Sequence, residues 1–180
     1  CATQEAIDFI QEVPEKLPFM ATSCCPAWSM MAKKLFPEQA DCISMALTPM
    51  TLTARLIKRH HSNAKVVFIG PCAAKKLEAM RTDIRSDVDF VLTFEEMDGI
   101  FDARHVDVEK IEEDPEGVND ASTDGRNFAV AGGVAKSVVD VIHERYPDKE
   151  IKVANAEGLR ECRKLLTMAK AGKYNGYLLE

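Results

Sequence analysis

Two cysteines stand side by side in Thr22-Ser23-Cys24-Cys25-Pro26-Ala27-Trp28, after an apolar segment and directly before a proline that suits the first turn of a helix. Adjacent cysteines make a poor disulfide, because bridging neighbours strains the backbone and the S–S torsion. They also miss the spacing of a zinc knuckle, which puts two or more residues between ligands. Chemistry that uses both divides the work: one sulfur holds a metal and the other meets a substrate. A third cysteine has a similar setting. Val66-Val67-Phe68-Ile69-Gly70-Pro71-Cys72 is an apolar run closed by Gly-Pro-Cys, and Ala73-Ala74-Lys75-Lys76-Leu77-Glu78-Ala79 behind it favours helix. A cysteine just before a helix start meets unpaired N–H groups and the positive end of the dipole. Both favour the thiolate, the form that binds metal.

The elements that must position these sulfurs alternate. Helices are expected over residues 3–13, 26–35, from Pro49 onward, over 73–80, 94–103, after Gly132-Gly133, and from Glu157 to Ala171. Short apolar strands are expected over 17–22, 65–70, 88–92, 128–131, 150–154 and 176–179, with 65–70 buried on both faces because it lacks polar alternation. Thr93 and Glu96 have the spacing of a capping box, and Gly172 suits a helix C-terminus. The stretch from about 106 to 126 is acidic and aperiodic, and reads as a loop insertion. The alternation predicts an α/β fold, a mostly parallel sheet flanked by helices. Ligands of such sheets bind at strand carboxyl ends, where Cys24, Cys25, Cys72 and the Gly132-Gly133 turn are all expected.

Composition narrows the function classes. With 180 residues, 46% apolar and 29% charged, the chain can bury a sizeable core. A net charge of -6 gives nucleic-acid binding no electrostatic support. There is no apolar run of membrane-span length and no visible signal peptide. Six cysteines, two of them adjacent, do not resemble a secreted disulfide framework, so a reducing cytoplasm is expected.

TSCCPAW and GPCAAKKLEA resemble the first and second signature motifs of the catalytic domain of the iron-only (FeFe) hydrogenases. Phe36-Pro37, Ser44, Thr48-Pro49 and Ala131-Gly132-Gly133-Val134 fit the segments around them. The resemblance runs through nearly the whole chain and implies one lobe of that domain. The family's third motif, Cys-x-x-x-Cys before a Gly-rich stretch, is expected just beyond Tyr177-Leu178-Leu179-Glu180, and Cys1 reads as a cut point. The chain is therefore expected to be a fragment, with exposed apolar surface that favours self-association.

The resemblance implies reversible interconversion of protons and H2 on a 4Fe-4S cluster linked to a di-iron subcluster with CO, cyanide and a dithiolate. Ferredoxin or another Fe-S carrier would supply electrons. Cys25 and Cys72 match two of the four cubane ligands, the others belonging to the third motif. Four thiolates are the usual demand of a cubane, so the fragment alone is expected to be empty or labile, with these thiols simply buried. Cys24 matches the proton-relay thiol, with Ser44, Glu5 and Asp8 as the onward chain. Glu5 and Asp8 match only across a one-residue gap, and are otherwise a solvated helix face. Ser44 also reads as a turn hydroxyl. Lys75 matches the lysine that donates to an iron-bound cyanide. Thr48 matches a serine whose hydroxyl faces the di-iron unit.

Within the resemblance, two departures point to a less-studied branch: Gly70 where the best-known members carry Met, and Ala27 for a common Gly. Cys42 and Cys162 read as small buried apolar residues, and Trp28 as packing for the helix behind the cysteine pair. Two alternatives share the family. An H2-sensing regulatory protein would keep the cofactor. A non-enzymatic hydrogenase-like iron–sulfur assembly protein generally lacks the thiol at Cys24.

Overall fold

The computed structural model describes residues 1–112 and 121–180. The chain divides into two compact units, Cys1–Thr48 with Ala121–Glu180, and Pro49–Asp120. Both are mixed α/β, with parallel strands flanked by helices.

In the first unit, strands β1 (Met20–Ala21), β4 (Lys152–Ala154) and β5 (Tyr177–Leu179) form a parallel sheet of order β1-β5-β4. Leu178 stands opposite Met20 and Val153, and Leu179 opposite Ala21 and Ala154. Successive side chains of a strand point to opposite faces, so this register splits the core in two. Met20 and Leu178 pack with Ala6 and Phe9 of α1 (Ala2–Glu12) and Val138 and Ile142 of α7 (Gly133–Arg145). Ala21 and Leu179 pack with Trp28 and Ala32 of α2 (Pro26–Leu35) and Leu165 and Leu166 of α8 (Gly158–Lys170). The central strand is buried on both sides, as a parallel strand between two helical layers must be.

The second unit pairs β2 (Val67–Gly70) with β3 (Phe90–Thr93) in parallel, Val67 opposite Phe90 and Gly70 opposite Thr93. Helices α3 (Pro49–His60), α4 (Ala74–Ala79) and α5 (Phe94–Ala103) complete this unit. Thr93 and Glu96 close the expected capping box. Burial of 65–70 on both faces is not found: Val67 and Ile69 are each 46% exposed. The reason is that the core is one-sided, with Phe68, Val66 and Val91 packed on Met50, Ala54 and Val88.

A further correction concerns 128–131, where no strand forms. Thr123–Asn127 is a short helix, α6, and the chain then turns. Val130 N–H donates to Asn127 O, and Gly133 N–H to Val130 O, while Gly132 adopts φ 77°. These local bonds occupy groups that a sheet ladder needs, and Val130 stays exposed. Of the expected loop over 106–126, residues 108–110 form a short 3-10 turn and 123–127 belong to α6, whereas Pro115 and Gly117 lie outside the described residues. No helix among the described residues is long and apolar enough to cross a membrane.

Candidate active site

The adjacent cysteines leave the carboxyl edge of the first unit's sheet. Thr22 N–H donates to Leu179 O and Ser44 N–H to Ala21 O, extending the strand contacts by one step on either side. The chain then turns into α2, with Pro26 at its first position and Cys25 as its N-cap. Cys25 Sγ accepts the Trp28 backbone N–H at 3.5 Å. The Trp28 indole is buried and donates to Thr22 O at 3.0 Å, tying both ends of the turn together. Cys24 is half-buried and Cys25 exposed.

Both cysteines line a cavity of about 770 Å³, with Gly132, Asn155, Glu161 and Cys162 among its other walls. The Gly132 turn thus reaches the cavity without following a strand. Asn155 lies so close over Gly132 that a Cβ there would meet its amide nitrogen at 2.7 Å. Cys162 is half-buried in the cavity wall, and its thiol donates to Ala156 O at 3.7 Å. Burial pushes the Cys162 thiol up, and the neighbouring Cys25 adds to this. It packs against the core as expected, but it is only half-buried, because α8 begins beside the cavity. Cys42 is buried as expected.

Glu5 is 3% exposed, so it is no solvated face residue. Its carboxylate accepts Ser23 N–H at 3.3 Å and bonds the buried Ser44 hydroxyl. Burial pushes its pKa above the usual glutamate value, and these two bonds partly oppose that. Asp8, one turn along α1, is bonded to Gln4 Nε2 at 2.7 Å on the outer part of the helix. Thr48 is buried at the end of the first unit.

In the second unit, Cys72 is half-buried between the end of β2 and the start of α4. Lys75 Nζ lies 2.7 Å from Glu78 Oε2, and Thr51 Oγ1 donates to Glu78 Oε1 at 3.1 Å. Glu78 and Thr51 are absent from the sequence-derived site. The Lys75–Glu78 spacing of three on a helix would have flagged the first. Nothing local flags Thr51, 27 residues away from Glu78.

The donor chemistry suits an iron–sulfur cluster in part. Cys25 offers a soft sulfur at a helix start, facing a roomy cavity, and Cys72 offers another in the second unit. Among the described residues, no three His, Cys, Asp or Glu side chains gather as a metal site. A four-thiolate cluster would need ligands beyond these two sulfurs.

Comparison with known proteins bears on the family and the fold. The family model described as iron only hydrogenase large subunit, C-terminal domain, matches residues 1–180. The chain is 27% identical over 191 residues to iron hydrogenase 1 of Clostridium pasteurianum, covering 96% of this chain and 33% of that protein. It is 26% identical over 224 residues to the periplasmic Fe hydrogenase large subunit of Nitratidesulfovibrio vulgaris, covering 98% and 52%. A cytosolic Fe-S cluster assembly factor of Kluyveromyces lactis is 33% identical over 81 residues, 45% of this chain and 17% of that one. The chain spans a third to a half of the length of the two curated hydrogenases. Among solved structures, the apo FeFe hydrogenase of Chlamydomonas reinhardtii shares the fold with a TM-score of 0.69 at 21% identity, over 99% of this chain and 62% of that one.

Proposed function

This chain belongs to the iron-only hydrogenase large-subunit family, and from that premise we propose that it is part of an enzyme that interconverts protons and H2. The observation that carries the reading is the cysteine pair: Cys25 caps α2 with its sulfur, and Cys24 stands beside it in the same cavity. Cys25 and Cys72 are assigned as thiolate ligands of a 4Fe-4S cluster. When bound, that cluster carries electrons, and its linked di-iron unit with CO, cyanide and dithiolate supplies the metal at which H2 chemistry occurs.

The chain's own residues hold and move protons. Cys24 receives and returns a proton at its sulfur. Glu5 retains a proton more readily than an exposed glutamate, because its charged form is desolvated. Its bond to the Ser44 hydroxyl gives that proton an onward partner. Asp8, nearer the helix surface, is assigned the exchange with solvent. Lys75 presents an ammonium for an anionic cyanide, and Thr48 a hydroxyl for the di-iron unit. Electrons arrive from ferredoxin or a similar Fe-S carrier.

A second reading is an iron–sulfur assembly scaffold, favoured by the similarity to the Kluyveromyces lactis factor. An H2 sensor with the same cofactor is a third. The test is iron content and H2 turnover in the full-length protein matured with the di-iron unit, beside Cys24→Ala. Turnover that collapses in the variant with iron retained supports the enzyme. A loaded protein without turnover in either form supports the sensor, and a protein that never loads the di-iron unit supports the scaffold.

A further inference from the structure

Glu78 is a carboxylate with 2% side-chain exposure in the second unit, and its two oxygens have separate partners. Oε2 takes the Lys75 ammonium at 2.7 Å, and Oε1 takes the Thr51 hydroxyl at 3.1 Å. A buried carboxylate is costly unless its lone pairs are bonded, so the division satisfies both ends. It also removes a freedom. With Oε1 held by a hydroxyl on α3, turning the carboxylate breaks that bond, which favours one placement of the ammonium on Oε2. Lys76, one residue on, is more exposed, at 38%, and its ammonium donates to both Glu96 carboxylate oxygens and to Val91 O at 3.1 Å.

We propose that Thr51 and Glu78 are positioning residues for Lys75, a clamp from α3 through α4 that aims the ammonium. The clamp rests on the reading of Lys75 as the donor to an iron-bound cyanide. An ammonium on a flexible four-carbon stem loses several rotamers when it is aimed at one acceptor. Fixing it beforehand removes that cost from binding.

The test is the exchange rate of the lysine ammonium protons in the 180-residue chain, measured by NMR with nitrogen-15 lysine. Lys75 is assigned through Lys75→Arg, and Lys76 is the internal control. Thr51→Val should speed Lys75 exchange roughly three- to tenfold, the factor equivalent to one net hydrogen bond, with Lys76 unchanged. Glu78→Gln should speed it further, and Thr51→Ser, which keeps the hydroxyl, should restore the slow rate. Equal Lys75 rates in wild type and Thr51→Val overturn the proposal, as does a fast rate in folded Thr51→Ser. If Thr51→Val does not fold, Thr51→Ala, which also lacks the hydroxyl, decides by the same comparison with wild type. The cyanide reading fails separately: it is lost if the matured full-length Lys75→Gln protein retains its di-iron unit as firmly as wild type.

Discussion

The α-carbon of Gly133 lies against the Asn127 carbonyl, so close that a Cβ at residue 133 would overlap the carbonyl oxygen. The obstacle is backbone and cannot rotate away. Gly133→Ala should therefore cost about 3 kcal/mol of stability, at the upper end of overpacking effects. Gly99, inside α5, has open space around it, and Gly99→Ala should gain roughly 0.5–1 kcal/mol. Chemical denaturation of the two variants checks both signs. Comparable losses at the two positions would refute the distinction.

Cys25 caps a helix and is assigned a metal, and the two roles separate. Serine is a strong N-cap, so Cys25→Ser should keep stability within about 1 kcal/mol of wild type. The same variant in the full-length protein should lose most of its cluster iron, because a hydroxyl is a poor ligand for iron–sulfur centres. Iron retained at the wild-type level would remove Cys25 from the ligand set.

Glu5 makes stability depend on pH in a particular direction. Its pKa is raised in the folded state, chiefly by desolvation, so the native protein binds its proton more tightly than the unfolded chain does. Stability from this group is full below about 4.5, its ordinary value, and is lost as pH rises through the folded value. Glu5→Gln should lack that decline, so the variant gains on wild type as pH increases. Parallel stability curves for wild type and Glu5→Gln as pH rises from about 4.5 would contradict the assignment.

Trp28→Phe keeps the ring in the core but deletes the donor to Thr22 O. The orphaned carbonyl should cost about 1–2 kcal/mol. The turn bearing Cys24 and Cys25 should also loosen. Faster alkylation of Cys24 by iodoacetamide in the variant would register this, and an unchanged rate would show that the turn does not depend on the indole.

Asp89 accepts the Val66 N–H at 2.8 Å and bonds Lys58 and Lys65. Those ammonium groups hold its carboxyl well below the usual range. Its contribution is present at neutral pH and is lost as pH falls through the depressed value. Asp89→Asn should therefore raise hydrogen exchange at the Val66 amide at neutral pH, after correction for intrinsic rates. An unchanged protection factor would show that Asp89 does not secure the start of β2.

Much of the scaffold was legible because its signals are local. Pro26 fixed a helix start, Thr93 and Glu96 fixed another, and both appear at those residues. The cysteine motifs carried the family, since their residue types and order belong to the chain itself. Other features depended on partners far away in sequence. The run 128–131 is apolar enough for a strand, yet no neighbouring strand takes it up and local turns prevail. Val67 and Ile69 have the composition of buried residues, but only one side of their sheet is covered. Glu5 had the pattern of a surface carboxylate, and its burial arises where α1 meets Ser23 and Ser44. Thr51 reaches Glu78 only because α3 and α4 pack together. Sequence alone determined where helices such as α2 and α5 start, because caps follow from bonds within a few residues. Tertiary structure decided which groups are desolvated and which hydroxyl meets which carboxylate, because burial and long-range contact exist only once the chain has packed.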